Sequence, residues 1–413
     1  MLLTQEYEEE WSIGRKAIFK LVFTYFTLYI FLMFFSSFLE APFRWFGNIL
    51  GFNYSYNVSG FGSGDNTYAY ITLFVNIVLA IFISLIWILL DRKRKSYNQL
   101  MYWFIVILRI FLIFFMFTYG FVKIIQLQFP YPSLTRMMQP LGDFSPMGLA
   151  WTYLGYSKGF NLFMGIMEVS GGLLLIPRRT STLGAFVTMG VMIHVAVMNF
   201  MFDIPVKIFS VHLAIIALLI FLTDSKRFIN VFVKNKPTEA YDYYNPIKDK
   251  VYHNVIFWTK LVLTIVLIGL FLLRGWSNDR GKTSDKPFLH GIWETTEFIK
   301  EGDTIPPLTT DKNRWRYLII DRKDRATVKM MDDKTYRYTF KPDSISKKVA
   351  LYGPGEEEET PNFTFDFLDD KTLKLKGEIY FNKHEIILKR KNLDSVLLYS
   401  RRFNWINETP FNR

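Results

Sequence analysis

The chain has 413 residues, 50% of them hydrophobic and 18% aromatic, and carries a formal net charge of +12. The apolar residues are bunched in blocks of about 20, the length a helix needs to cross a bilayer, which excludes an all-soluble globular protein. No nucleic-acid motif, phosphate-binding glycine loop or zinc spacing accompanies the positive charge. The absence of cysteine excludes disulfides, thiolate metal sites and thiol redox chemistry.

The opening MLLTQEYEEEWSIGRK is polar and acidic and leads to no small-residue cleavage site, so the first apolar block reads as an uncleaved anchor. Seven membrane helices are expected, at 17–39, 69–90, 102–124, 159–177, 183–202, 206–222 and 255–273. Basic clusters then fall on one side: Arg15 and Lys16, the run 91–95, Arg178 and Arg179, and Lys226 and Arg227 with Lys234 and Lys236. That side is read as cytoplasmic, which puts the N-terminus inside and the chain beyond the seventh helix outside. Anionic lipid attracts such clusters, which accounts for much of the net charge.

After Arg274 the hydropathy falls. Residues 275–287 read as a polar linker, and the period then changes to alternation. Strands are expected at 291–299, 315–320, 326–331, 335–341, 347–352, 362–368, 372–379, 384–390 and 395–401, separated by turn signals such as Asp332-Asp333 and Asp369-Asp370. Many short antiparallel strands in about 120 residues imply a small closed barrel. The expected fold class is therefore an all-α polytopic membrane helix bundle with a C-terminal soluble antiparallel β-barrel. Its parts are two membrane helices (1–98), a four-helix core (99–230), a cytoplasmic loop with a seventh helix (231–274), the linker, and an extracytoplasmic barrel (288–413).

Two resemblances attach to these residues. Gly291-Ile292-Trp293 opens the first strand and Arg401-Arg402 closes the last. This is similar to the lipocalin and calycin pattern, which implies a tryptophan on the barrel floor packed against an arginine of the final strand. In the membrane part, TYGFVKI (118–124), GIMEVSGGLLLIPRRTSTLGA (165–185) and MIHVAVMNFMFDIPVKIFS (192–210) resemble the DoxX-like family. That resemblance implies a four-helix membrane bundle on the third to sixth spans. Some such proteins resemble the membrane subunit of thiosulfate:quinone oxidoreductases. The implied function is redox-associated, with a quinone-like or other lipophilic molecule as the ligand, in a bacterial inner membrane.

Ionisable residues inside spans are expensive and point to sites. Glu168 and His194 are expected to meet across antiparallel helices as a proton relay. Tyr119, Lys123, Asn199 and His212 are the expected polar lining around a ligand. Lys123 or the polar face of the fourth span is the expected neighbour of His212. Arg109 is expected either to snorkel or to pair with Glu168. Asp203 and Lys207 straddle Pro205 and are expected to lock a helix hairpin. No metal site is expected, and the histidines sit at unequal depths for haem. The expected partners are the lipid bilayer and a redox or envelope protein. The alternatives are a non-enzymatic envelope scaffold, receptor or export factor whose barrel recruits a partner, and a small-solute transporter.

Overall fold

A computed structural model describes residues 10–52, 64–238, 286–353, 362–379, 382–401 and 404–412, with scattered positions between 252 and 273. The chain divides into two units, Met1–Gln128 with Gly159–Asn278, and Phe129–Lys158 with Asp279–Arg413.

In chain order the helices are α1 (Ile13–Phe35), α2 (Glu40–Ile49), α3 (Thr67–Leu90), α4 (Asn98–Ile124), α5 (Leu134–Met137), α6 (Pro146–Tyr156), α7 (Lys158–Leu175), α8 (Ser181–Met201), α9 (Lys207–Leu222) and α10 (Ser225–Phe232). Among the described residues α1, α3, α4 and α8 are long and apolar enough to cross a membrane. The pair α9 and α10, bent by 78°, makes a fifth if it is one broken span. The fourth expected span is helical as α7 but is not in that set, being diluted by Lys158, Asn161, Glu168, Ser170 and its glycines. The seventh, 255–273, lies mostly outside the described residues.

The case for lipid is sharpest at α3. Leu85, Leu89 and Leu90 are 55%, 60% and 80% exposed on a helix whose exposed face is apolar, its polar Asn76 and Ser84 being buried. A continuous apolar surface of this kind is stable in hydrocarbon and not in water. The first unit is thus a multi-pass membrane bundle.

Two buried cations close helix C-termini, where the last carbonyls have no partner within their own helix. Lys20 on α1 donates from Nζ to the carbonyls of Trp87 and Asp91 at 3.1 and 3.0 Å, at the end of α3. Arg109 on α4 donates from Nε to Leu175 O at 3.0 Å and from Nη2 to Ile176 O at 2.8 Å, at the end of α7. Arg109 therefore neither snorkels nor pairs with Glu168, because bare carbonyls lie within its reach. These contacts, with Trp11 N donating to Lys95 O at 3.0 Å and Arg178 over the Tyr102 ring, gather the first three basic clusters at one end of the bundle.

Helix α4 meets α7 through glycine. A Cβ added to Gly165 would lie 2.6 Å from Gly120 O, and one added to Gly172 would lie 2.9 Å from the Phe117 ring. Gly171 does the same toward α8, where a Cβ would lie 2.5 Å from Thr188 Oγ1. Gly165→Leu should lower the thermal midpoint of the detergent-solubilised protein, since overpacking of this kind costs about 1–3 kcal/mol. Gly190→Leu, where a Cβ meets nothing within 4 Å, should leave it unchanged.

The second unit holds an antiparallel sheet of β1 (Gly291–Lys300), β2 (Asp303–Thr304), β3 (Trp315–Arg322), β4 (Arg325–Met330), β5 (Thr335–Asp343), β6 (Lys348–Tyr352), β7 (Phe363–Asp369), β8 (Thr372–Ile379) and β9 (Asn382–Arg390). Strands pair in chain order from β3 to β9, and β1 pairs with both β3 and β9, which closes an eight-stranded barrel. The short β2 extends β1 as a hairpin. The interior is filled by side chains of alternate positions, including Trp293, Trp315, Leu318, Val328, Phe340, Leu373, Leu375, Ile386 and Leu388.

The ninth expected strand, 395–401, is instead a short 3-10 turn followed by one helical turn, Leu397–Ser400. Asn392 accepts from Asp394 N at 3.0 Å and turns the chain out of the ladder. Arg401 consequently does not reach the barrel floor. Arg390 of β9 takes that place, 5.7 Å from the Trp293 ring centroid, and donates from Nη2 to His290 O at 2.9 Å. Gly291 has φ +147°, with Arg390 Nε 3.3 Å from where a Cβ would stand, so glycine is required there.

Residues 129–158 fold as part of this second unit. Ser133 caps α5 by accepting from Arg136 N, and Ser145 caps α6 with Pro146 at its first position. Leu134, Met137 and Met138 cover the outward side chains Ile292, Tyr317 and Ile319 of β1 and β3, together with Val396 and Tyr399. Lys329 Nζ donates to Met138 O at 2.8 Å, and Leu134 N donates to Asp321 at 3.2 Å. Burial holds the Asp321 carboxyl above the usual carboxylate range, against the opposing pull of His290. Tyr131 and Tyr156 donate from their hydroxyls to Leu398 O and Arg401 O, both at 2.8 Å.

Candidate functional site in the membrane bundle

Lys123 lies in the last turn of α4, and helical side chains lean back toward the N-terminus of their helix. Its Nζ donates to both carboxylate oxygens of Glu168, at 2.8 and 2.9 Å. Glu168 is 1% exposed and Lys123 4%. The ammonium also sits 5.6 Å from the Tyr119 ring centroid, one helical turn back on the same face. Tyr119 in turn packs against Phe115 and Phe209. The structure thus assembles Tyr119, Lys123 and Glu168 into one cluster across α4 and α7.

His194 stands apart from that hydrogen-bonded cluster. Thr188, Met192, Ala196 and Asn199 form the buried stripe of α8. His194, two residues past Met192, is rotated about 200° from it and is exposed. Among the described contacts Lys123, and not His194, holds the carboxylate.

Asn199 faces the core and donates from Nδ2 to Ser210 Oγ at 3.0 Å and Val206 O at 3.2 Å. It ties α8 to α9 rather than lining a space beside Glu168. His212 is buried and pairs with α1, contrary to the partners expected from sequence. Its Nδ1 lies 2.7 Å from Ile208 O and its Nε2 lies 2.7 Å from the Tyr25 hydroxyl. The carbonyl can only accept, so Nδ1 carries the proton and Nε2 accepts from Tyr25. Tyr29 stacks on the imidazole at 3.9 Å. Asp203 and Lys207 form the expected pair at 3.0 Å. Asp65, missed in the sequence, accepts from Lys207 N and Ile208 N at 2.7 and 3.1 Å and so closes the start of α9. Lys20 was missed as well, although a lone lysine inside the first span was a readable signal.

Among the described residues no cluster of three or more metal-ligating side chains occurs. A closed ion pair between two helices can join them, and its carboxylate can take up a proton only when freed from the ammonium.

Bundle and barrel together define the class: a multi-pass membrane protein carrying a closed antiparallel β-barrel domain. No family model matches the chain, and no solved structure does. The chain is 32% identical over 132 residues to the uncharacterized protein YwoB of Bacillus subtilis (strain 168), covering 32% of this chain and 83% of that one. The chain belongs to the same family as that protein.

Proposed function

We propose that this protein is a non-enzymatic membrane scaffold or receptor that holds a rigid β-barrel at the outer face of a bacterial inner membrane, where the barrel recruits a protein partner. The observation that carries this reading is the closed state of the bundle around Glu168. Both carboxylate oxygens are taken by Lys123, and the glycine backbones of α4 and α7 are in contact beside them. A redox subunit of the DoxX-like kind, with α4, α7, α8 and α9 as its core, needs space for a flat ring against that carboxylate. The filled barrel interior likewise favours recruitment by the outer surface over storage of a small ligand.

Native mass spectrometry of the purified full-length protein is the test. No stoichiometric quinone is expected. A bound quinone that disappears in Glu168→Gln would establish the redox reading and overturn the scaffold.

In this proposal the end of the bundle with the basic clusters is the cytoplasmic face, and the enrichment of Lys and Arg in cytoplasmic loops supports it. Segment 129–158 links α4 to α7 and packs with the barrel, which supports the proposal that both lie outside. A chain without cysteine makes this directly measurable. Ser346→Cys, on the exposed β5–β6 turn, should react with a membrane-impermeant maleimide in intact cells. Lys93→Cys should react only after lysis. The reverse pattern would invert the topology.

A further inference from the structure

At the end of the bundle that carries the basic clusters, a cavity of about 760 Å³ opens between α1, α4, α9 and the α7–α8 turn. Its charged lining is Arg15, Arg109 and Arg178 against one carboxylate, Asp224. Asp224 is already paired with Arg227 at 2.6 Å and accepts from Thr182 at 3.2 Å, so the cavity keeps an excess of positive charge. Arg15 lies 4.2 Å from the Trp11 ring and Arg178 4.9 Å from the Tyr102 ring, and such stacking orients a guanidinium plane.

Below Arg15 and Arg178 the walls are apolar, with Ile18, Val22, Ile105 and Leu219, while Arg109, further along α4, is turned to the carbonyls of Leu175 and Ile176. From Arg15 to Val22 the wall runs seven residues along α1, about 10 Å at the helical rise. The cavity is therefore amphipathic along its depth: cationic at the membrane face, hydrocarbon-like inward.

We infer that this cavity binds one anionic phospholipid, its phosphodiester at Arg15 and Arg178 and its acyl chains along α1 and α4. Guanidinium forks match phosphate oxygens in pairs, and anionic lipids of the cytoplasmic leaflet supply the ligand.

The test is native mass spectrometry of the delipidated full chain, titrated with phosphatidylglycerol or phosphatidylcholine of matched acyl chains. One phosphatidylglycerol should be retained in preference to phosphatidylcholine. Arg15→Gln with Arg178→Gln should weaken its retention roughly 25-fold, each basic side chain near an anionic headgroup being worth about a factor of five. Ile105→Trp, which keeps the arginines and fills the apolar wall, should weaken both lipids. Equal retention of the two lipids by the unmodified protein would overturn the proposal. So would unchanged phosphatidylglycerol retention in a folded Arg15→Gln/Arg178→Gln protein. Displacement of the lipid by millimolar inorganic phosphate would reassign the site to free phosphate and overturn it too.

Discussion

Lys123→Met is expected to destabilise the membrane bundle by about 3–5 kcal/mol, the cost of leaving a buried carboxylate without its counter-charge. The two side chains are 5% and 2% exposed, and the ammonium engages both oxygens of Glu168. Water cannot take over that role where α4 and α7 pack through Gly120 and Gly165. Glu168→Leu should be costly for the mirror-image reason, a stranded ammonium. The double variant Lys123→Met/Glu168→Leu should recover most of the loss, because two apolar side chains satisfy each other. Thermal unfolding in detergent of the two single variants and the double one measures this coupling. Additive losses would show that the pair is not what joins the two helices there.

Trp293→Ala is expected to cost the barrel about 3–5 kcal/mol, the range for emptying a large aromatic site in a packed core. Trp293 is 1% exposed, donates from Nε1 to Leu289 O at 2.9 Å and supports Arg390 of the closing strand. It pairs in register with Leu318 of β3 and Arg390 of β9, so its loss strikes the seam of the barrel. Hydrogen exchange on the full-length protein should show lost protection concentrated in β1, β3 and β9. Ile345→Ala, at a position 95% exposed, should leave protection unchanged. Uniform loss across all strands would mean that closure does not depend on the floor tryptophan.

By itself the sequence determined the two kinds of matter in this chain. Blocks of apolar residues announce membrane helices because backbone groups in lipid must bond within their own helix. Alternation after residue 290 announces strands because side chains on a strand point to opposite faces. Both signals are local, and β1 and β3 through β9 lie close to where that alternation puts them. The strand expected at 395–401 failed because Val396 and Tyr399 are apolar for another reason. They pack beside Leu134, and periodicity does not say what an apolar side chain will touch.

The tertiary structure decided the partners. Glu168 was legible as a buried charge that must be answered, but Lys123, Arg109 and His194 were all near enough in sequence logic to answer it. Helix rotation settled the matter: Lys123 faces α7, Arg109 meets the bare carbonyls at the end of α7, and His194 lies off the buried stripe of α8. His212 found Tyr25 and Tyr29 on α1, which no spacing could reveal. In the same way β3 reads WRYLII, apolar on both faces. Leu318 and Ile320 fill the barrel, while Tyr317 and Ile319 await a cover. The cover is residues 129–158, more than 150 residues earlier in the chain. A sequence can show that a face must be buried, but the burying surface is fixed only when distant segments fold against one another.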